Sequence, residues 1–269
     1  MGKFDGVLLA SDYDDTLFSS DMTVSPENVA AIEYFTGRGG VFTVATGRAH
    51  RTFAPQVHKV PFNAPVILSG GAQLYDFSKN EYVYETFLPP RVKWDLLELA
   101  QAVPEIGFEA YWGDDIYAYQ PNAVTLRHIK RAGVSFTECP IADMPEPWSK
   151  VILQQENAVL RRAQQYMLER WSGHYEVIFS NPVLLELTAK GSNKGGMVLR
   201  LADRLGISRE HIYCVGDNQN DIPMLAISAI PFAPSNCAPE VRAWGPRIVG
   251  SCDESCIAQI VGILDEVYT

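Results

Sequence analysis

The chain has 269 residues, of which 47% are hydrophobic and 20% charged, so it is long enough for one large domain or two smaller ones with substantial cores. A formal net charge of −10 argues against general binding to nucleic acids or anionic membranes. No run of about 18 apolar residues and no secretory signal pattern is present, so we expect a cytoplasmic protein without a membrane span. The five cysteines are scattered, with no second pair at zinc-binding spacing, and predict reduced thiols.

Strands and helices alternate in the first third of the sequence. Ser25, Pro26 and Glu27 supply an N-cap, a first-turn proline and a first-turn acid, which predicts a helix from there to about Arg38. Repeated β-α-β units with continuously apolar strands indicate a parallel sheet that is covered on both faces. The buried strands are predicted at 7–10, 41–45 and 65–68, with a further helix at 53–57.

The middle of the chain, from about Tyr82 to Leu187, has a different pattern. Its predicted strands read as half-exposed, and a helix is expected from 158 to 171, so we predict an α+β unit around an antiparallel sheet. Pro89 and Pro90 mark one junction with the preceding pattern. The predicted strands of this unit are 109–112, 116–119, 150–153, 175–179 and 184–187.

The α/β pattern then resumes and continues to the end of the chain. Helices are predicted at 193–205, 218–226 and 253–267, and strands at 211–215, 229–232 and 247–249. The core is therefore expected to be split by an insertion. We predict a discontinuous core domain formed by residues 1–86 and 188–269, with a second domain inserted at 87–187.

Three acidic residues, Asp12, Asp14 and Asp15, follow the first predicted strand within four positions. Like charges at this spacing repel one another, and at the edge of a core they are costly unless a cation compensates them. Ligands of open α/β sheets bind outside the carboxyl ends of the strands. A divalent metal ion at this position is therefore expected.

Other polar residues end predicted core strands or lie beside them, namely Thr46, Lys194, Asp217 and Asp221. We expect these distant segments to meet along one edge of the sheet. Carboxylates can hold Mg²⁺, which prefers oxygen ligands, whereas a hydroxyl and an ammonium suit phosphate oxygens. A carboxylate next to such a metal ion stays ionised and can attack phosphorus.

The segments D-Y-D-D-T-L, V-A-T-G-R, S-N-K-G and G-D-N-Q-N-D resemble the four motifs of the haloacid dehalogenase superfamily of phosphatases. Their order, their spacing and the insert are similar to those of the type IIB, or Cof-like, branch. The resemblance covers nearly the whole chain. It implies an α/β fold, with a Rossmann-like, doubly wound parallel sheet as the core and an inserted α+β cap domain.

The resemblance also implies the catalytic residues. Asp12 would be the nucleophile that forms an aspartyl-phosphate, and Asp14 would act as general acid and then as general base. Thr46 would hydrogen-bond the phosphoryl group, and Lys194 would neutralise its charge and that of Asp12. Lys190 is the alternative for this cationic role, but Lys194 begins a helix before two glycines, where phosphate can approach closely.

The same resemblance implies Mg²⁺ as the cofactor. Asp12, the main-chain carbonyl of Asp14, and Asp217 would hold it, and Asp221 would support the metal shell through water. Arg48 is either a substrate contact or one half of a surface ion pair. The substrate and phosphate would be bound by Thr46, Gly47, Arg48, Lys194 and Asn220.

Two positions depart from the pattern of the family. Asp15 replaces the usual glycine of D-x-D-G-T, and we expect the turn to survive because aspartate tolerates unusual backbone angles. Gly70 stands where the branch has an asparagine, so a side-chain contact is in question there.

We therefore expect a phosphatase for small organophosphates, with sugar phosphates favoured and neither nucleic acid nor membrane as a partner. The expected assembly is a monomer or a weak homo-oligomer. A phosphomannomutase-like phosphotransferase is the nearest alternative. A non-enzymatic phospho-aspartate switch is a second, but it explains neither the large insert nor the second acid of D-x-D.

Overall fold

A computed structural model describes residues 2–268 of the chain; residues 1 and 269, the ends of the predicted core domain, lie outside the described residues. Within 2–268, no helix has the length and apolar content needed to cross a bilayer. The five cysteines are free thiols. The first part of the chain forms β1 (Leu8–Ser11), α1 (Pro26–Thr36), β2 (Val41–Val44), α2 (His50–Phe53), β3 (Val66–Leu68), β4 (Gln73–Asp76) and β5 (Glu81–Glu85).

The middle of the chain, which we call the cap segment, contains a sheet of its own. Its six strands are ordered β10-β11-β9-β6-β7-β8, and every neighbouring pair is antiparallel except β7 and β8. The elements of the cap segment are α3 (Val92–Ala102), β6 (Gly107–Trp112), β7 (Asp115–Tyr119), α4 (Ala123–Ala132), β8 (Thr137–Glu138), β9 (Lys150–Gln154), α5 (Asn157–Trp171), β10 (Tyr175–Asn181) and β11 (Leu184–Ala189).

The last part of the chain returns to the first sheet. Its strands complete a five-stranded parallel sheet in the order β14-β13-β12-β1-β2, and a bridge between Ala45 and Ile67 links this sheet to the antiparallel strands β3-β4-β5. These last elements are α6 (Lys194–Leu205), β12 (Ile212–Val215), α7 (Ile222–Leu225), β13 (Pro231–Pro234), α8 (Pro239–Trp244), β14 (Arg247–Val249) and α9 (Cys256–Val267).

Strand β1 lies at the centre of the parallel sheet because its residues are apolar on both faces. Leu9 packs into a cluster with residues of α1 and α9, whereas Leu8 and Ala10 pack into a second cluster with residues of α6 and α7. Helix α1 begins as predicted: the side chain of Ser25 accepts a hydrogen bond from the backbone N–H of Asn28 at 3.2 Å. Helices on both faces of a parallel sheet confirm the doubly wound core.

The cap segment differs in part from the sequence-based expectation. Strand β9 is buried along its whole length, and β6 and β11 are buried except at their ends, so the interpretation of these three strands as half-exposed is wrong. Helices α3 and α5 cover one face of the sheet, and Ile129 of α4 packs on Ile152 of the other face. Neither α3 nor α4 was predicted. The predicted boundaries of the inserted domain stay a prediction, although β11 runs on to Ala189 before the chain returns to the core.

Candidate active site

The register of the parallel sheet brings the predicted polar residues together. Ser11 at the end of β1 lies opposite Val44 of β2 on one side and Val215 of β12 on the other. Asp12 therefore leaves the sheet next to the segments that carry Thr46 and Asp217. All of these residues follow carboxyl ends of parallel strands, which is where ligands of such sheets bind.

Lys194 bridges two of the predicted acidic residues, Asp12 and Asp221. Its Nζ donates hydrogen bonds to Oδ1 of Asp12 at 2.5 Å and to Oδ1 of Asp221 at 2.6 Å. The side chain is only 1% exposed. Burial by itself lowers the pKa of Lys194, but the two carboxylates outweigh burial and the pKa rises above its ordinary value. The ammonium therefore stays charged, as its predicted role requires.

The loop after β12 is organised by Asp221. Its Oδ2 accepts hydrogen bonds from the backbone N–H groups of Asp217 and Asn218, both at 3.0 Å, which closes the turn through D-N-Q-N-D. Thr16 Oγ1 donates to Oδ1 of Asp217 at 3.1 Å. Thr16 was missed as a site residue, although it is the threonine of the first motif and is fully buried.

The carboxylates of Asp12, Asp217 and Asp221 form a buried group in which one oxygen of each lies within 4.8 Å of the others. Burial, and then the charge of Asp221, raises the pKa of Asp217 to about 7. Burial also raises the pKa of Asp12 well above its ordinary value. One ammonium cannot balance three carboxylates, so the donor set suits a divalent cation with a preference for oxygen.

Asp14 lies apart from this group. Arg48 donates to both of its oxygens, from Nε to Oδ2 at 2.9 Å and from Nη2 to Oδ1 at 2.6 Å. Its side chain is 34% exposed and lines the same cleft as Asp12. Arg48 is thus half of an ion pair, as one alternative held, and that pair lies inside the cleft rather than on an outer surface.

The other predicted residues are placed as follows. Thr46 is buried, and its Oγ1 accepts a hydrogen bond from the backbone N–H of Arg48 at 3.1 Å. Gly47 and Asn220 line the cleft. Lys190, the alternative cation, is 53% exposed and pairs with Glu176 at 3.5 Å, so the site contains Lys194 and not Lys190.

The first departure from the family pattern is accommodated by the backbone. Asp15 has a φ of 59°, in the left-handed region that glycine adopts freely, and its side chain is exposed. The turn therefore survives the replacement of glycine, as expected. Asp15 also lies on the rim of the cleft.

The cleft has a volume of about 280 Å³ and lies between the core and the cap segment. None of the site residues predicted above lies in the cap segment, although alternation along its strands indicates which side chains share a face. Several cap side chains line the cleft, and those with polar or aromatic groups are Tyr111, His128, Arg131, Lys150, Ser180, Asn181 and Glu186.

A doubly wound α/β core with a cluster of buried acids at its strand ends, roofed by an inserted α+β segment, defines a class of hydrolases. The family model described as haloacid dehalogenase-like hydrolase matches residues 9–261. The chain belongs to this family. The resemblance found in the sequence, the fold class and the prediction of a hydrolase are thereby confirmed.

Relatives and solved structures agree with this assignment. A protein of Serratia proteamaculans (strain 568) named HMP-PP phosphatase is 24% identical over 257 residues, covering 93% of this chain and 92% of the relative. Pyridoxal phosphate phosphatase YbhA of Escherichia coli (strain K12) is 24% identical over 272 residues, covering 94% and 97%. A haloacid dehalogenase-like hydrolase from Bacteroides thetaiotaomicron shares the fold, with a TM-score of 0.79 and 22% identity over 96% of this chain and 99% of that chain.

Proposed function

We propose that this protein is a Mg²⁺-dependent phosphatase that hydrolyses small phosphate monoesters through an aspartyl-phosphate on Asp12. One observation carries the proposal: a buried lysine bridges Asp12 and Asp221 within a carboxylate group that also contains Asp217. An ammonium held against a carboxylate can neutralise a phosphoryl group that arrives at the same place. A purely structural ion pair would not need two further negative charges beside it.

The first half of the reaction transfers the phosphoryl group to the protein. Lys194 engages Oδ1 of Asp12, which leaves Oδ2 of Asp12 as the attacking atom. A bond forms between this oxygen and phosphorus while the bond from phosphorus to the ester oxygen breaks. Asp14 gives its proton to the departing oxygen.

The second half of the reaction regenerates Asp12. Asp14 takes a proton from water, the water oxygen bonds to phosphorus, and the bond from phosphorus to Asp12 breaks to release inorganic phosphate. Asp12, the main-chain carbonyl of Asp14, and Asp217 would hold Mg²⁺, with Asp221 in support. When bound, Mg²⁺ supplies positive charge that stabilises the negative charge developing on the phosphoryl oxygens.

Small soluble organophosphates are the proposed substrates, and we propose that the protein acts on them in the cytoplasm as a monomer or weak homo-oligomer. The cleft of about 280 Å³ under the cap segment admits a small ester and excludes a folded protein. Two relatives are named for activity on HMP-PP and on pyridoxal phosphate, both of which are small phosphorylated molecules. Free thiols agree with a reducing compartment.

The experiment that tests this function measures phosphate release from phenyl phosphate and from a panel of sugar phosphates, with Mg²⁺ or with EDTA. We expect turnover only with Mg²⁺ and no turnover by Asp12→Asn, whose fold is checked by circular dichroism. Release of inorganic phosphate without any added acceptor separates a phosphatase from the phosphotransferase alternative. Substantial activity of Asp12→Asn would rule out the aspartyl-phosphate.

A further inference from the structure

The roof of the cleft is formed by one face of the sheet in the cap segment. Successive side chains of a strand point to opposite faces, so Lys150 and Ile152 of β9 share the face turned toward the core. Val151 lies on the other face, in the cap's own hydrophobic cluster. Glu186 of β11 is paired with Ile152 and lies on the face toward the core.

Glu186 has no role in the mechanism above, yet the residue is largely buried. The residue is 8% exposed and lines the cleft. No hydrogen bond or ion pair recorded among residues 2–268 involves its carboxylate oxygens. A carboxylate that lines the cleft without a protein donor is suited to receive donors from a molecule bound there.

The position of Glu186 depends on two glycines of the core. A Cβ atom at Gly47 would lie 3.1 Å from its Oε1, and one at Gly70 would lie 2.9 Å from its Oε2. Gly70 is the second departure from the family pattern, with a φ of 67° where the branch has asparagine. The missing side chain at 70 thus gives room to a carboxylate from the cap, beside the loop that carries Thr46.

Lys150 supplies donors on the same face. Its Nζ donates to the carbonyl oxygen of Gly47 at 2.6 Å and lies 4.5 Å from the centre of the Tyr111 ring. Lys150 is 2% exposed, and burial lowers its pKa although Glu186 opposes this effect. An ammonium has three N–H donors, and only one of them is used by Gly47. Within residues 2–268, Lys150 and Glu186 do not form an ion pair with each other.

We propose that Glu186 and Lys150 select phosphate monoesters whose leaving group carries several hydroxyl groups. This proposal rests on the proposed phosphatase function. The carboxylate of Glu186 accepts hydrogen bonds from these hydroxyls, and the ammonium of Lys150 donates to a hydroxyl oxygen. A hydroxyl satisfies both groups, because it donates and accepts. An apolar leaving group offers neither side chain a hydrogen-bonding partner, and sites built to bind hydroxyl groups discriminate strongly against molecules that lack them.

Two esters with six-carbon leaving groups test the proposal: sorbitol 6-phosphate, whose leaving group is a hexitol, and n-hexyl phosphate. The wild type is expected to prefer the hexitol ester by at least about 10-fold in kcat/KM. Glu186→Met should lower kcat/KM for sorbitol 6-phosphate by at least about 10-fold and for hexyl phosphate by less than about 3-fold. Glu186→Gln, which keeps one acceptor oxygen, should fall between the wild type and Glu186→Met.

Two further variants separate recognition from a structural role. Gly70→Asn should displace the carboxylate of Glu186 and reproduce part of the loss on the hexitol ester. Glu105→Gln is the matched control, because Glu105 is a cap acid that pairs with Arg162 on the surface at 2.8 Å, and it should change neither ester. Thermal unfolding of each variant checks the fold.

Three results would overturn the selection by Glu186: no preference of the wild type for the hexitol ester, an equal loss on both esters, or no loss in Glu186→Met. A different result would show that the proposed phosphatase function itself is wrong. In that case the wild type with Mg²⁺ releases phosphate from neither ester nor from phenyl phosphate, and the selectivity proposal falls with it.

Discussion

Arg48 holds both carboxylate oxygens of Asp14, with Nε donating at 2.9 Å and Nη2 donating at 2.6 Å. The arginine is fixed in turn, since Nη1 donates to the carbonyl of Thr52 at 3.3 Å and the guanidinium lies 5.2 Å from the Tyr13 ring centre. A planar guanidinium that donates two hydrogen bonds fixes the orientation of a carboxylate more tightly than a single ammonium does. Arg48 is therefore a positioning residue for the proposed general acid.

Arg48→Lys tests this role through the leaving group. Lysine keeps the charge but cannot form the two parallel hydrogen bonds, so Asp14 loses its orientation. We expect kcat to fall by about 10²-fold for an alkyl phosphate, whose leaving oxygen needs a proton. For p-nitrophenyl phosphate, whose leaving group departs as a stable anion, the decrease should be much smaller. Steady-state rates on both esters provide the measurement.

The control for this experiment is Arg51→Ala. Arg51 lies three positions further along the chain, on α2, and is exposed; among residues 2–268 it forms no ion pair. Its removal should leave both rates unchanged. If Arg48→Lys slowed the two esters equally, the arginine would act on phosphate binding or on the fold, and not through proton transfer by Asp14.

Lys194 and Lys190 form a matched pair of variants. Lys194→Ala removes the ammonium that contacts Asp12 and Asp221, so phosphate release should fall by at least about 10²-fold. In EDTA the free energy of unfolding should also fall, by about 3 kcal/mol, because two buried carboxylates lose their partner. Lys190→Ala breaks only a partly exposed ion pair with Glu176 and should cost less than about 1 kcal/mol.

Urea denaturation and phosphate release measure the two effects of these lysine variants. Loss of activity in Lys190→Ala with full activity in Lys194→Ala would reverse the assignment. Added Mg²⁺ should restore part of the stability of Lys194→Ala, because a divalent cation compensates the same carboxylates. It should not restore that of Lys190→Ala.

The acid cluster predicts how stability depends on pH when no metal ion is bound. The folded state raises the pKa of Asp217 from 3.8 to about 7, so between these values the folded protein binds more protons than the unfolded chain. The free energy of unfolding must therefore decrease as pH rises through this window. Asp12 acts in the same direction, because burial raises its pKa as well.

Asp217→Asn isolates this contribution. In EDTA, the wild type should lose the contribution of Asp217 as the pH rises from about 4 to about 7, and the variant should not. The free energy of unfolding of the variant should therefore increase relative to that of the wild type over this range. Saturating Mg²⁺ should shrink that difference. A constant difference across the window would mean that Asp217 titrates normally in the folded protein.

The sequence predicted most of the core and of its site for a physical reason. Apolar runs that end in polar residues identify parallel strands and the sheet edge that binds ligands, so Asp12, Thr46 and Asp217 could be placed together. The N-cap at Ser25 likewise fixed the start of α1, since its hydrogen bond is local. Both inferences need only neighbouring residues or a general rule of sheet topology.

The rest depends on contacts between segments that are far apart in the chain. Lys150 meets Gly47 across 103 positions, and nothing local in either segment indicates the other. The predicted strand at 150–153 begins with the charged residue Lys150, yet Lys150 is buried and its ammonium contacts Gly47 of the core. Whether a polar face of a strand is buried depends on the segment that packs against it. The pattern of polar and apolar residues along the strand does not show which segment that is.

Asp15 offers a test of the backbone at the first motif. A residue other than glycine at a φ of 59° carries strain of about 1 kcal/mol, which aspartate only partly relieves. Asp15→Gly should therefore raise the free energy of unfolding by about 0.5 kcal/mol, because the greater freedom of glycine in the unfolded chain offsets part of the gain. Asp15→Ala should lower it by about 1 kcal/mol. The hydrogen bond from Asn236 to the carbonyl of Asp15, at 2.8 Å, is available to all three proteins. Both variants remove the same carboxylate, so the difference between them in chemical denaturation reports on the backbone, and an Asp15→Ala variant at least as stable as Asp15→Gly would contradict the strain.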